Sequence, residues 1–231
     1  MERRRILDLT DLTYLDSNAS ENSLRDICNL SMEKRPAALC VFSEHVEFVS
    51  RHLDESVTIA AVAGGFPEGS GSPDEIYESV REAVSYGAKE IDCVLEPGPE
   101  GSFPGEDELA KLIAMREASQ GLVLKVIVES PLLDERSLRA VTRMVMASGA
   151  DFVKTCTGRR GDCSLEVVRI LAEEVSRHSL ISEKPAGLKI SGGIKTRQRA
   201  ESLIQIIAEQ DKTIITPTRL RIGASSLVGN L

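Results

Sequence analysis

Three charged residues stand in sequence segments that are otherwise apolar. Asp92 lies in EIDCVL, Lys154 in FVKTCTG and Lys189 in GLKISGG. Burying a charge is costly, so charged side chains in apolar surroundings are usually paired with another charge or used for chemistry. These three residues are therefore the first candidates for a functional site.

Two lysines directed into one site disfavour each other's protonation, and partial burial acts in the same direction. We therefore expect a pKa near neutrality for at least one of the amines of Lys154 and Lys189. A neutral amine adds to a carbonyl, loses water and forms an iminium ion that accepts the electrons of an adjacent carbon–carbon bond. Asp92 could relay the protons that these steps require. The residues thus predict Schiff-base chemistry on a carbonyl substrate.

Two structural explanations of the same charges stay open. Each residue could face solvent at the frayed end of a strand. Alternatively, Asp92 and one lysine could form a buried salt bridge that only supports the fold.

Glycine-rich turns follow the last three apolar segments of the chain. They are Thr157-Gly158-Arg159, Ser191-Gly192-Gly193 and Gly223-Ala224-Ser225-Ser226. One such turn is weak evidence, because glycine commonly ends strands and helices. Loops after the late strands of α/β barrels, however, often bind phosphate through backbone N–H groups. Three turns in succession, with Arg159 and Lys195 nearby, predict a phosphorylated substrate.

Short apolar segments alternate with amphipathic ones along the chain, as expected of parallel strands covered by helices. The predicted strands are Ile6–Thr10, Ala38–Phe42, Val57–Ala63, Glu90–Leu95, Leu122–Ser130, Phe152–Thr155, Gly187–Ser191 and Arg219–Ala224. A capping box at Ser72 and Glu75, with Pro73 at the first helical position, marks one helix clearly. Further helices are predicted near 107–119, 134–147, 164–177 and 196–209.

Eight strands in 231 residues predict an α/β fold with one (β/α)8 TIM barrel, and residues 1–231 as a single domain. The alternative is an open α/β sheet, which strand counting does not exclude. Against it, the sequence contains neither the G-x-G-x-x-G nor the G-x-x-x-x-G-K-[ST] nucleotide-binding pattern.

Composition limits the classes of partner. The net charge of −8 supplies no general positive field for nucleic acid or an anionic membrane, so we expect a small-molecule ligand. No run of 18 apolar residues occurs. The five cysteines are odd in number and form no C-x-x-C pair, and only three histidines are present. We therefore expect no metal site and a reducing, cytoplasmic location.

With these motifs the sequence resembles the 2-deoxyribose-5-phosphate aldolases, a family of class I aldolases with a TIM-barrel fold. The resemblance runs over nearly the whole chain, through LDLTDL, AALCV, GGFPEGSG, EAVSYGAKEIDCVL, LKVIVES, GADFVKTCTG, KISGGIKT and RIGASSL. GADFVKTCTG is its most specific segment. The resemblance implies reversible cleavage of 2-deoxy-D-ribose 5-phosphate to acetaldehyde and D-glyceraldehyde 3-phosphate, without a metal or an organic cofactor.

The resemblance also implies roles for individual residues. Lys154 would form the Schiff base, Lys189 would lower its pKa, and Asp92 would be the acidic partner in proton transfer. The implied phosphate site comprises Gly158, Arg159, Gly192, Gly193, Gly223, Ser225 and Ser226. Cys40, Asp8 and Thr10 are candidates for the substrate pocket or its support, although a small buried residue is an equally good explanation of Cys40.

Several positions depart from the family pattern. Ile190-Ser191 stands where many members have Pro-Ala, Ser43 where proline is common, and Ser130-Pro131 where Thr-Gly is usual. The sequence also lacks the C-terminal tyrosine tail of many members, so we expect the helix that follows the eighth strand to be short or missing. These departures leave open a shifted substrate preference or a non-catalytic binding or scaffold protein. Exposed apolar residues on the helices could form a homodimer surface, but sequence alone does not separate them from the core.

Overall fold

The computed structural model describes residues 2–99 and 102–230. Over these residues, eight parallel strands close into a barrel, with β1 paired to β8. The strands are β1 Thr10–Tyr14, β2 Ala38–Phe42, β3 Ile59–Ala63, β4 Glu90–Val94, β5 Val123–Ile127, β6 Phe152–Lys154, β7 Gly187–Ser191 and β8 Leu220–Ala224. The predicted TIM barrel is confirmed, and the alternative of an open sheet is wrong.

The described helices lie on the outside of the barrel or at its end. They are α1 Arg3–Leu7, α2 Glu21–Lys34, α3 Ser43–Ser50, α4 Pro73–Ser85, α5 Glu106–Ala118, α6 Glu135–Ala147, α7 Leu165–Ser179 and α8 Arg197–Gln210. Short 3-10 turns occupy Ser130–Leu132, Lys212–Ile214 and Val228–Asn230. None of the described helices is long and apolar enough to cross a membrane.

Helix α4 begins as the sequence predicts. The Ser72 hydroxyl accepts a hydrogen bond from the Glu75 N–H at 3.3 Å, and the Glu75 carboxylate accepts one from the Ser72 N–H at 2.8 Å. Pro73 is the first residue of the helix. These bonds satisfy N–H groups that have no partner inside the helix, and so they fix its start.

The prediction for the first strand is wrong. Residues Arg3–Leu7 form a helix, and β1 begins only at Thr10. Ile6 and Leu9 are both buried, as their three-residue spacing allows on one side of a helical turn. The Thr10 hydroxyl donates to the Ile6 carbonyl at 2.7 Å, which joins the helix to the strand. The strand therefore starts four residues later than Ile6, and its inward-facing acidic residue is Asp11.

Alternation along the strands separates two environments. Residues such as Ile91, Leu124 and Val153 face the helices and belong to the large apolar core. The intervening residues point into the barrel, where several are charged. Register places Asp92 beside Lys125 on β4 and β5, and Lys154 beside Lys189 on β6 and β7. The barrel thus brings together side chains that are far apart in the sequence.

Candidate active site

Asp92 is the centre of the charged cluster inside the barrel. Its Oδ2 accepts hydrogen bonds from Lys154 Nζ at 2.8 Å and from Lys189 Nζ at 2.7 Å. Its Oδ1 accepts one from Lys125 Nζ at 3.0 Å. All four side chains are buried. The three residues predicted from sequence are therefore in direct contact, and Lys125 joins them.

A second group of charges lies below Asp92, toward the amino-terminal ends of the strands. Asp11 accepts from Lys189 at 2.5 Å and from Arg221 at 2.6 Å. Glu90 binds Lys125 at 2.6 Å and Arg221 at 2.8 Å. The Arg221 guanidinium also lies 5.8 Å from the centroid of the Phe152 ring. These side chains form the floor of the barrel interior.

The buried network contains four cations, Lys125, Lys154, Lys189 and Arg221, and three carboxylates, Asp11, Glu90 and Asp92. With every group ionised it carries one uncompensated positive charge. Since a net charge is costly in a buried site, the network favours the loss of one proton.

The pKa shifts show which groups keep their charge. Burial alone would raise the pKa of Asp92, but Lys125, Lys154 and Lys189 outweigh it and hold that pKa well below the ordinary value. The same balance lowers the pKa of Asp11. Burial lowers the pKa of Lys189, whereas Asp11 and Asp92 raise it, and the net shift is upward. Lys125 also has a raised pKa, because three carboxylates outweigh its burial. Lys125 and Lys189 are therefore cations at neutral pH.

Lys154 differs from the other members of the network in its position. It is the last residue of β6, and its Nζ contacts one carboxylate, that of Asp92. A cavity of about 370 Å³ opens above it at the carboxyl-terminal ends of the strands. Among the described charged groups of the network, Lys154 alone lines this cavity. It is the amine that a ligand in the cavity can reach.

Most of the predicted phosphate residues border the same cavity. Gly158, Arg159, Gly192, Gly193, Gly223 and Ser225 all line it, together with Lys195 and Asp162. Ser226 is exposed and does not line it. Within the described residues, the N–H groups of Gly192, Gly193 and Ser225 donate to no protein acceptor. Free N–H groups beside a cation are suited to binding an anion.

The glycine turn after β7 has no room for side chains. Gly192 has a φ of +94°, and a Cβ there would lie 2.6 Å from Cys156 Sγ. Gly193 has a φ of +72°. Both values lie in the left-handed region that favours glycine. The turn is therefore built to bring backbone close to the cavity.

The three pocket candidates from the first two strands are not cavity-lining residues. Asp8 is outside the barrel, where it pairs with Arg4 at 2.5 Å, because β1 begins after it. Thr10 faces the helix side of β1 and bonds to Ile6. Asp8 is thus a wrong prediction, and Asp11 holds the position inside the barrel. Cys40 is fully buried, and burial together with Asp92 raises its pKa to about 11.

Arg160, the residue after Arg159, is paired with a carboxylate. Its guanidinium forms two hydrogen bonds to the Glu96 carboxylate, at 2.5 and 2.8 Å. Paired guanidinium–carboxylate bonds of this kind fix geometry as well as charge. The pair joins the loop after β6 to the loop after β4.

Comparison with known proteins connects this geometry to a family. Residues 6–227 match the family model described as DeoC/LacD family aldolase. A deoxyribose-phosphate aldolase of Treponema denticola is 31% identical, with 94% of this chain and 93% of the relative covered. One of Corynebacterium jeikeium is 33% identical, with coverage of 98% and 95%. The tetrameric deoxyribose phosphate aldolase of Aeropyrum pernix has the same fold, with a TM-score of 0.78 and 23% identity over 98% of this chain and 89% of that one.

Proposed function

Because this chain belongs to the DeoC/LacD aldolase family, we propose that it reversibly cleaves 2-deoxy-D-ribose 5-phosphate to acetaldehyde and D-glyceraldehyde 3-phosphate, through a Schiff base on Lys154. The protein is then a carbon–carbon lyase acting on a small sugar phosphate, and its chemistry needs neither a metal nor an organic cofactor. One observation carries the proposal: Lys154 lines the cavity while it shares an oxygen of Asp92 with a second lysine.

The charge balance of the network supports Lys154 as the nucleophile. Lys125 contacts three carboxylates and Lys189 contacts two, so their protons are held firmly. Arginine stays charged at all physiological pH values. Lys154 contacts one carboxylate and faces the cavity. Loss of its proton removes the excess positive charge and yields the free amine that carbonyl addition requires.

The reaction follows from an amine in that position. Lys154 Nζ adds to the aldehyde carbon C1 of the open-chain sugar, and loss of water gives the iminium ion. The C3 hydroxyl then loses its proton, and the electrons of the C2–C3 bond move to the iminium as glyceraldehyde 3-phosphate is released. Protonation of the resulting enamine at C2, followed by addition of water, releases acetaldehyde and restores the amine.

Asp92 and Lys189 are the proposed proton-transfer partners. Asp92 contacts both amines through one oxygen, so a proton can pass between Lys189 and the reacting centre along two short hydrogen bonds. The raised pKa of Lys189 makes it a proton reservoir at neutral pH.

The phosphate is proposed to bind at the turns after β6, β7 and β8. The unpartnered N–H groups of Gly192, Gly193 and Ser225 supply donors, and Arg159 and Lys195 supply positive charge. Gly158 and Gly223 let the backbone approach. Ser225 rather than Ser226 serves as the serine contact, because Ser226 lies outside the cavity lining.

We further propose that residues 1–231 act as one domain in the reducing cytoplasm, as a homodimer, without a nucleic-acid partner. All five cysteines are free thiols and are buried, which suits a reducing compartment.

Leu109 and Ile113, one turn apart on α5, are each more than 40% exposed and provide apolar surface for self-association. Light scattering coupled to size-exclusion chromatography measures the oligomeric state.

Trapping with acetaldehyde and borohydride tests the proposed function. Reduction of the Schiff base leaves an ethyl group on the reacting lysine, and peptide mass spectrometry identifies that lysine. We expect the adduct on Lys154 in the wild type and in Lys195→Ala, and its loss in Lys154→Ala. An adduct that persists in Lys154→Ala, or no adduct in a folded wild type, contradicts the assignment.

A further inference from the structure

Asp162 is an acidic residue in the cavity where the phosphate is proposed to bind. It lies in the loop between β6 and α7 and lines the cavity together with Arg159 and Lys195. A Cβ built on Gly193 would lie 2.6 Å from both Cγ and Oδ2 of Asp162, and 3.0 Å from its Oδ1. The carboxylate therefore rests against the glycine turn that supplies the free N–H groups.

The carboxylate has no partner of its own. Across residues 2–99 and 102–230, Asp162 forms no side-chain hydrogen bond or ion pair. Arg159, in the same loop, instead donates to the Leu15 carbonyl at 2.8 Å. Asp162 is exposed, so its carboxylate is accessible and is not held in place by a partner in the fold. Asp162 is thus free to interact with what enters the cavity.

A carboxylate at this position acts oppositely on two kinds of substrate tail. A phosphate group carries roughly two negative charges, and it would bind at the same turn as the Asp162 carboxylate. Repulsion between the like charges weakens its binding. A hydroxyl group donates a hydrogen bond to the carboxylate and gains from it. The nearby cations attract the phosphate but do not neutralise Asp162 by direct contact.

We propose that Asp162 determines substrate specificity by lowering the enzyme's preference for phosphorylated over unphosphorylated, hydroxylated aldehydes. This inference rests on the proposed function and concerns which substrates the same site accepts. The enzyme accepts a neutral polyhydroxylated tail, as in 2-deoxy-D-ribose, better than a site lined by cations alone would. Among the described residues, no hydrogen bond or ion pair joins Asp162 to the buried network, so we expect the effect on substrate binding.

Asp162→Asn removes the charge and keeps the shape, and it tests the proposal. The measured quantity is kcat/KM for 2-deoxy-D-ribose 5-phosphate divided by kcat/KM for 2-deoxy-D-ribose. We expect this ratio to rise about tenfold, through a lower KM for the phosphorylated sugar, because a like charge facing the anion is removed. Glu183→Gln makes the same charge change on an exposed residue before β7 and should leave the ratio unchanged.

Titration calorimetry with inorganic phosphate provides a readout that does not need turnover. We expect the Kd for phosphate to fall about tenfold in Asp162→Asn and to stay constant in Glu183→Gln, again from loss of like-charge repulsion. An unchanged or lower ratio, or an unchanged or higher Kd, in Asp162→Asn overturns the proposal for Asp162. A wild type that cleaves neither sugar and forms no borohydride adduct contradicts the proposed function instead, and the phosphate titration still decides the role of Asp162.

Discussion

Lys154 and Lys189 donate hydrogen bonds to the same oxygen, Oδ2 of Asp92, from neighbouring strands of the barrel. The arrangement keeps two amines close together while only one of them reaches the cavity. It also connects the protonation of each amine to the presence of the other.

Lys189→Leu should shift the pH optimum of residual activity to a higher value. The substitution removes one cation from the network, which then has no excess positive charge to favour the loss of a proton, so a free amine forms only at higher pH. The pH dependence of kcat/KM measures the shift. Lys89→Leu, on an exposed residue, is the control and should show the wild-type profile. A profile that keeps its position in Lys189→Leu would argue against the coupling.

Lys125→Met should destabilise the protein strongly. Lys125 is fully buried between Asp11, Glu90 and Asp92, and its removal leaves buried carboxylates without a cation. We expect a loss of about 3–5 kcal/mol in the free energy of unfolding, measured with urea. Lys34→Met breaks an exposed pair with Glu33 and should cost no more than about 1 kcal/mol. Equal losses in the two variants would show that the buried network contributes little to stability.

The low pKa of Asp92 predicts how stability depends on pH. Because the folded pKa lies well below the unfolded value of 3.8, the stabilisation from ionised Asp92 is fully present above pH 3.8. It is lost as the pH falls from 3.8 through the folded pKa. The free energy of unfolding of Asp92→Asn should therefore lie below that of the wild type by a constant amount at neutral pH. This difference should narrow under acid conditions. A difference that grows as the pH falls contradicts the assignment.

Gly192→Ala should raise the KM for the phosphorylated substrate and destabilise the protein. The new Cβ meets Cys156 Sγ at 2.6 Å and the Cys163 nitrogen at 3.0 Å, so the turn must move. Gly121→Ala is a matched control, because Gly121 also has a positive φ, +80°, but no atom within 4 Å of its Cβ position. Both variants should lose about 1 kcal/mol or more from backbone strain. Only Gly192→Ala should change KM.

Asp11→Asn should lower kcat, whereas Asp8→Asn should leave it unchanged. Asp11 contacts Lys189 and Arg221 inside the barrel, so loss of its charge alters the protonation of Lys189. Asp8 pairs with Arg4 outside the barrel. Steady-state assays of both variants with 2-deoxy-D-ribose 5-phosphate measure the contrast. A reduced kcat in Asp8→Asn would instead support Asp8 as a residue of the site.

The sequence alone predicts the barrel fold and the three central residues of the site. Seven predicted strands contain the observed ones, since β-branched apolar runs bounded by glycine are strong signals. Asp92, Lys154 and Lys189 were recognised because each interrupts such a run. Lys125 carries the same signal in LVLKVIVES and could have been found in the same way.

The other residues of the site could not be predicted, because their positions depend on where the first strand starts and on how separate loops meet. A shift of the first strand from Ile6 to Thr10 brings Asp11 rather than Asp8 into the barrel, because neighbouring residues on a strand face opposite sides. Glu90 and Arg221 stand at or near the starts of their strands, where a charge normally suggests solvent. The contact between Asp162 and Gly193 joins two loops, and no periodic pattern in the sequence reports it.

Glu90, Arg221 and Phe152 fill the amino-terminal end of the barrel interior, and among the described residues the cavity above Lys154 opens at the opposite, carboxyl-terminal end. In the proposed reaction, acetaldehyde remains bonded at the bottom, on Lys154, while the phosphorylated fragment occupies the mouth. Water that hydrolyses the bound fragment must come through the same mouth. The products therefore leave in a fixed order, glyceraldehyde 3-phosphate first and acetaldehyde second. In the synthetic direction the two aldehydes enter in the reverse order.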